Sequence, residues 1–234
     1  MLLNIETTSD VCSVALSKDG KLLNCMEDKE GRSHASKLTV LIDEVLKQES
    51  LSVNDLDGIS ISKGPGSYTG LRIGVSTAKG LCYGADLPLI SVHTLQTLTQ
   101  GFLNNISKYL PKGLNDSDLL VPMIDARRME IYTAVLNSSN QFVREVEPVI
   151  LDEHSFEDLL NKGRLIFFGN GAGKAKGVIK HPNAKFINEI HFSATHMIAL
   201  SEKQFRNRTF EDVAYFEPFY LKAFQATKPK NKLF

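Results

Sequence analysis

The glycine-rich stretch at residues 63–70, KGPGSYTG, is the part of the sequence best suited to hold an anion. It follows a β-branched run at 58–62 and precedes an amphipathic segment at 71–83, so the pattern predicts a strand, a loop and a helix. Glycines there permit positive φ, and free N–H groups at a helix start can bind phosphate. A tight strand-to-helix turn explains the same residues and is favoured over ligand binding on physical grounds alone, and the ending of a Walker loop is absent.

Histidine spacing decides whether the chain carries a helical metal site. Two histidines four residues apart share one helical face and can chelate one ion, but Thr97 stands four residues after His93. His191 and His196 are five apart, which is the wrong phase, and His34 with His93 lacks a third ligand. A GxSxG nucleophile motif is also missing. The sequence therefore predicts no catalytic residue and no metal ligand, which disfavours a metalloprotease.

A second glycine cluster lies at residues 169–174, GNGAGK, directly after an apolar run. Such a cluster is compatible with phosphate, and a simple turn between Phe168 and a following helix explains it as well.

Composition limits the class of protein. The 234 residues fit one large domain or two small ones, and 42% are hydrophobic and 23% charged, as in globular chains. Lys+Arg and Asp+Glu both number 27, which argues against binding nucleic acid by bulk charge. No apolar run approaches the roughly 18 residues of a membrane span, and the N-terminus does not resemble a secretory signal. Three cysteines without CxxC spacing predict free thiols in a cytoplasmic protein.

The order of elements predicts the architecture. Three antiparallel strands open the chain, with Asp19-Gly20 as a hairpin turn, and a helix at 33–48 with Ser33 as its N-cap follows. A strand, the glycine loop, a helix, a strand at 88–92 and a helix at 93–102 come next, and 104–118 is predicted to be a loop. We expect an α/β actin-like ATPase fold, in which two mixed-sheet subdomains carry flanking helices. Further strands are predicted at 119–124, 131–136, 147–151 and 165–168, with helices at 156–160 and at 194–205 capped by Ser193.

Several motifs resemble the Gcp/YeaZ group, formerly called glycoprotease M22. Residues 64–72, GPGSYTGLR, resemble the GPGSFTGLR signature of that group. Residues 3–8, LNIETT, resemble its opening strand and first loop. Residues 32–35 match the start of its first helix, and 125–132 (DARRMEIY) look like an element of its YeaZ branch. Beyond residue 135 the resemblance is limited to 169–171 and 217–221. The signature loop consists of Gly64, Pro65, Gly66, Ser67, Tyr68, Thr69 and Gly70. Because the catalytic TsaD branch carries an HxxxH metal site and this chain has Thr97 instead, it is most similar to the YeaZ branch, also called TsaB.

The resemblance implies a non-catalytic subunit of the complex that makes N6-threonylcarbamoyladenosine at position 37 of tRNAs reading ANN codons. Its partners would be a TsaD-like catalytic subunit, a TsaE-like ATPase and, through the complex, tRNA. The chain itself would need no cofactor, because ATP is used by the complex. The alternative is a stand-alone kinase or carbamoyltransferase of the same fold. Nucleotide, if this chain binds it, is expected near Thr7, Thr8, Gly169 and Gly171.

The resemblance also implies that the first two helices form the partner surface, as a four-helix bundle with the same pair of TsaD, or with a second copy in a homodimer. The residues expected there are Leu38, Leu41, Ile42, Val45, Leu71, Ile73 and Val75. Ordinary core packing is the other interpretation of these residues.

We expect an N-terminal subdomain at 1–103. The C-terminal helix of the chain is a candidate for packing against this subdomain. A smaller subdomain is expected at 104–222 and a basic tail at 223–234. The tail either contacts tRNA or is simply solvated.

Overall fold

The N-terminal half of the chain forms a mixed five-stranded sheet with the strand order β3-β2-β1-β4-β5. The computed structural model describes residues 1–31, 33–187 and 190–222. Strands β1 to β3 are antiparallel, as predicted, and β4 and β5 run parallel to β1. The strands are β1 (Leu2–Glu6), β2 (Cys12–Lys18), β3 (Lys21–Asp28), β4 (Gly58–Ser62) and β5 (Leu89–Val92).

Two helices cover one face of this sheet, α1 (His34–Gln48) and α2 (Tyr68–Ala85). Apolar residues three and four apart lay a stripe along each helix, and these stripes are buried with the inward side chains of β1, β2 and β4. Ser60 alternates with Ile59 and Ile61 in β4 and therefore points to the opposite face, where its hydroxyl lies 2.7 Å from that of Ser201.

The second sheet repeats the first. Its order, β8-β7-β6-β9-β10, gives the same sequence of antiparallel and parallel neighbours, which confirms the predicted actin-like architecture of two mixed sheets with flanking helices. The strands are β6 (Leu119–Asp125), β7 (Glu130–Leu136), β8 (Phe142–Ile150), β9 (Leu165–Phe168) and β10 (Ala184–Phe186). Two short helices accompany them, α5 (Glu157–Leu160) and α6 (Ala172–Val178).

The two halves exchange their last helices. Helix α3 (Thr94–Asn104) follows β5, yet its apolar residues lie in the core of the second sheet, together with Phe168. Helix α7 (Ile198–Arg206) follows the second sheet and packs on β1 and β5 of the first. A division of the chain after residue 103 would therefore separate α3 from the sheet that it packs on.

Local differences from the sequence prediction have simple causes. Ser33 precedes α1, but its hydroxyl hydrogen-bonds to Asp28 and does not cap the helix. Residues 104–118, predicted to be a loop, contain α4 (Ile106–Tyr109), which is too short to show a hydrophobic period. Strand β10 escapes prediction because three residues give no alternation. Ser193 accepts a hydrogen bond from Thr195 N, but it caps a 3₁₀ turn at Ala194–Met197, and α7 itself begins only at Ile198.

After α7 the chain returns across the first sheet as an extended segment, residues 209–222, which we call the C-terminal strap. Glu211 N donates to Leu89 O at 2.8 Å, and Lys79 Nζ donates to the carbonyls of Ala214 and Phe216. The strap thus fastens to β5 and α2 before it reaches the second sheet. The predicted basic tail at 223–234, like Arg32, lies outside the described residues. No helix among the described residues has the length and apolar character to cross a membrane.

Candidate functional site

A cleft of about 540 Å³ opens between the two sheets, and its size is that of many small-ligand sites. One wall consists of the turn after β1 and the signature loop, and the other of the β6–β7 hairpin with Asn170. The end of the C-terminal strap lies between them. The residues that line it include Thr8, Ser67, Tyr68, Asp125, Arg127, Glu130, Tyr220 and Lys222.

On this wall, the signature loop packs closely against the turn after β1. A Cβ on Gly70 would stand 1.9 Å from the carbonyl oxygen of Thr7, and one on Gly66 would stand 2.5 Å from that of Thr8. Ser67 N donates to Thr8 O at 2.7 Å, and the Thr7 hydroxyl donates to Gly70 O at 2.9 Å. The glycines are therefore required for close approach of two backbone segments.

The same loop is fastened to helix α3. The Thr94 hydroxyl lies 2.8 Å from that of Ser62 and accepts from Gly64 N, while Thr94 N donates to Gly64 O. Gly64 has φ of 113° and leaves no room for a side chain beside Phe219 O. Ser67 caps α2 by accepting a hydrogen bond from Gly70 N at 3.3 Å.

The turn after β1 is organised by Glu6. This residue is fully buried, and its Oε1 accepts from both the backbone N–H and the hydroxyl of Thr8. Burial raises the pKa of the Glu6 carboxyl, although the Thr8 bonds oppose the shift. The polar groups of Thr8 are thus engaged within the protein.

The residues expected near a nucleotide do not all line the cleft. Thr8 lines the cleft, whereas the Thr7 hydroxyl is bonded to Gly70. Gly169, with φ of 99°, packs against Met123 O, and Gly171 packs against Ile131. Nucleotide binding here stays a prediction.

His93 is the N-cap residue of α3, and Thr97 stands four residues after it. Its ring meets Phe142 and Phe219 edge-on, at 5.4 and 5.5 Å between centroids. Burial, with Lys63 nearby, lowers the pKa of His93 to about 4, so the ring is neutral near pH 7. Thr97 is fully buried. His93 is surrounded as an apolar side chain would be, and the described residues contain no cluster of three metal-ligating side chains.

The residues expected at the partner interface are mostly core residues of this chain. Six of the seven are at most 7% exposed, and all of these except Leu71 belong to the core of the first sheet; only Ile73 is half-buried. The interface stays a prediction, and any contact through these helices must use their outward residues. Among these, Val40 is 45% and Tyr83 86% exposed.

Sequence reasoning gives no role to the strap or to the hairpin that follows β6. Tyr220 packs on Tyr68 with 5.0 Å between ring centroids, Phe219 N donates to Lys63 O, and Lys222 forms an ion pair with Glu130. In the sequence both segments stand out only as motif matches. Their juxtaposition depends on the return of the chain after α7, which no local pattern reveals.

Comparison with known families identifies the group to which these motifs point. A family described as "TsaD: tRNA N6-adenosine threonylcarbamoyltransferase" matches residues 28–231. The tRNA threonylcarbamoyladenosine biosynthesis protein TsaB of Escherichia coli (strain K12) is 29% identical over 231 residues, which cover 94% of each chain. The protein of the same name from Haemophilus influenzae is 35% identical over 131 residues, 56% of this chain and 51% of that protein.

Solved structures agree on the fold. YeaZ from Pseudomonas aeruginosa superposes with a TM-score of 0.78 at 22% identity, over 94% of this chain and 99% of that one. A structure described as an uncharacterized protein with similarity to peptidase YeaZ, from the same organism, gives a TM-score of 0.81 at 21% identity, with the same coverage.

Proposed function

The chain belongs to the TsaD family, and from this membership we propose that it serves the synthesis of N6-threonylcarbamoyladenosine in tRNA as a non-catalytic subunit. The resemblance to the TsaB branch is confirmed by relatives of that name along nearly the whole chain. In this proposal the chain works in the cytoplasm with a TsaD-like catalytic subunit and a TsaE-like ATPase. The complex consumes ATP and modifies position 37 of tRNAs that read ANN codons.

The environment of His93 is the observation that best supports a non-catalytic role. The position four residues later is a buried threonine, and the ring itself is enclosed by Phe142 and Phe219. On the facing wall, the Thr8 and Ser67 groups that could meet a phosphate bond to each other or to Glu6. These side chains stabilise the protein where a catalytic relative would use them for chemistry.

The outer side of α1 and α2 is the surface that we propose for the catalytic subunit. Both helices lie on one face of the first sheet and contact each other, so their exposed sides form one continuous surface. We call it the α1–α2 outer face; it comprises Val40, Ile73, Ser76, Gly80 and Tyr83. Small residues at 76 and 80 permit close helix approach, and a Cβ on Gly80 would meet nothing within 4 Å.

Val40→Glu tests this surface. Because Val40 is exposed, the variant should fold like the parent, yet its carboxylate would be buried without a partner in the complex. We expect affinity for the TsaD-like subunit, measured by calorimetry, to fall by about tenfold or more. Val143→Glu, at an equally exposed valine on β8, is the matched control and should bind normally. Equal affinity of the two variants would contradict the proposed surface.

Turnover by the isolated chain separates the accessory role from the stand-alone kinase or carbamoyltransferase. The purified protein should neither hydrolyse ATP nor modify tRNA above background, with or without added divalent metal. The full complex should show turnover. Loss of that turnover when only the catalytic partner is left out would support the subunit role. Robust turnover by this chain alone would instead establish an enzyme.

A further inference from the structure

The β6–β7 hairpin carries two arginines in a backbone conformation that they rarely adopt. Arg127 and Arg128 have φ of 71° and 47°, in the left-handed region, and both are exposed. Residues other than glycine, asparagine and aspartate are strained there, and such strain gathers at functional positions. The Asp125 carboxylate holds the turn by accepting from Arg127 N at 2.7 Å, and Asn170 Oδ1 accepts from Asp125 N.

The nearby carboxylates form ion pairs with lysines and not with these arginines. Asp125 pairs with Lys174 at 2.7 Å, and Glu130 pairs with Lys222. Within the part of the chain that the structure describes, neither Arg127 nor Arg128 has a carboxylate within ion-pair distance of its guanidinium. This hairpin is therefore locally cationic in a protein whose net charge is zero.

Across the cleft, the cationic surface continues beside a pair of packed aromatic rings. Tyr68 and Tyr220 pack together, and the Arg72 guanidinium carbon lies 5.5 Å from the centre of the Tyr68 ring. Tyr220 is 37% exposed, so the face of the pair is accessible at the cleft rim. We call the combined surface the cationic mouth; it consists of Tyr68, Arg72, Arg127, Arg128, Tyr220 and Lys222.

We propose that the cationic mouth binds single-stranded RNA, with Arg127, Arg128 and Arg72 at backbone phosphates and Tyr220 stacked on an unpaired base. Cationic side chains beside accessible aromatic rings suit single strands, because phosphates recur along the backbone and every base has a face that can stack. A duplex hides its base faces and would use only the charges. The inference rests on the proposed function, in which the loop of a tRNA is the available RNA.

The key variant, which we call the hairpin double variant, removes both hairpin charges without disturbing the turn. In Arg127→Asn with Arg128→Gly, the new residues are those that accept positive φ most readily, so the fold should be kept. The matched control is Arg206→Ala with Arg208→Gly, which removes the same charge at the end of α7, outside the mouth. Arg208 also has a positive φ, 55°, so glycine suits that position. Melting temperatures of all variants are recorded first.

Binding is measured by fluorescence anisotropy with a labelled RNA stem-loop that has an unpaired loop, and with a fully paired duplex. The isolated chain and the complex with the TsaD-like subunit are both titrated over a range of salt. Because the hairpin double variant lacks two phosphate contacts, the slope of log K against log salt should become shallower by about 1.4, roughly 0.7 for each contact. Tyr220→Ala tests the stacking contribution and should weaken loop binding about fivefold or more while leaving duplex binding unchanged.

The inference would be overturned by an unchanged slope in the hairpin double variant, by an equal loss in the control, or by duplex binding as tight as loop binding. Displacement of the RNA by ATP at equal concentration would instead assign the mouth to a mononucleotide and also overturns it. Assembly is scored separately by co-purification of the TsaD-like subunit. Failure to assemble counts against the proposed function, whereas normal assembly with unchanged RNA affinity counts against this inference alone.

Discussion

The two walls of the cleft use their polar groups in opposite ways. On the first wall, the signature loop and the turn after β1 bond to each other, and their glycines are packed against backbone carbonyls. On the second wall, the β6–β7 hairpin keeps two arginines exposed on a strained backbone. The glycines of the most conspicuous motif therefore have a structural role, and the exposed arginines of the second wall belong to a less conspicuous motif.

The largest effect is expected at the packed wall. Gly70→Ala places a methyl group 1.9 Å from the Thr7 carbonyl oxygen, so the loop and α2 must shift, and we expect a loss of about 3 kcal/mol or more in the free energy of unfolding. Gly80→Ala, on the same helix in open space, should instead stabilise by about 0.5–1 kcal/mol. Urea unfolding of both variants measures the difference, and similar values would contradict a packing role for the signature loop.

Acid should destabilise the fold through His93. The folded pKa is lowered to about 4 while the unfolded value is near 6.5, so the unfolded chain binds the proton more readily. Stability is fully present above pH 6.5 and should fall by up to about 3 kcal/mol as the pH drops towards 4. His93→Gln should flatten this dependence in urea titrations at several pH values. An unchanged acid limb in the variant would assign the loss to other groups.

A smaller effect is expected where the C-terminal strap meets the first wall. Tyr220→Ala removes the ring that packs on Tyr68 and should cost about 1 kcal/mol of unfolding free energy. Tyr220→Phe keeps the ring and is the control. If both variants melt at the parent temperature, the strap does not stabilise the cleft.

The smallest effect has the opposite sign and concerns the second wall. Arg127→Asn with Arg128→Gly relieves the positive-φ strain and should raise the unfolding free energy by up to about 1 kcal/mol, measured by urea unfolding. A loss of stability of that size would mean that the arginines hold the hairpin together, and the contrast between the two walls would then fail.

The sequence predicts the sheets well because their signals are local. Alternation in β2, the Asp19-Gly20 turn and the apolar stripe of α1 each specify one element without help from distant residues. Elements of three or four residues, such as β10 and α4, are set by the sheet or helix beside them and leave too short a pattern.

Only part of the candidate site can be predicted from the sequence. The signature loop can be recognised from its residue types. Periodicity, however, cannot distinguish the buried side of α1 from its outer side when both carry aliphatic residues. Leu41 and Val40 are neighbours in sequence, yet one is 7% and the other 45% exposed. The cationic mouth depends on the exchange of the last helices and on the strap, which bring Lys222 to Glu130 from 92 residues away. Contacts of that range are set by topology.

The content of N6-threonylcarbamoyladenosine in tRNA is the measurement that tests the central claim most directly. Cells depleted of this chain are complemented with the parent, with Val40→Glu or with Val143→Glu at matched protein levels, and nucleosides from digested tRNA are quantified by mass spectrometry. The account predicts loss of the modified nucleoside on depletion, recovery with the parent and Val143→Glu, and little recovery with Val40→Glu. Normal modification in depleted cells would contradict the account.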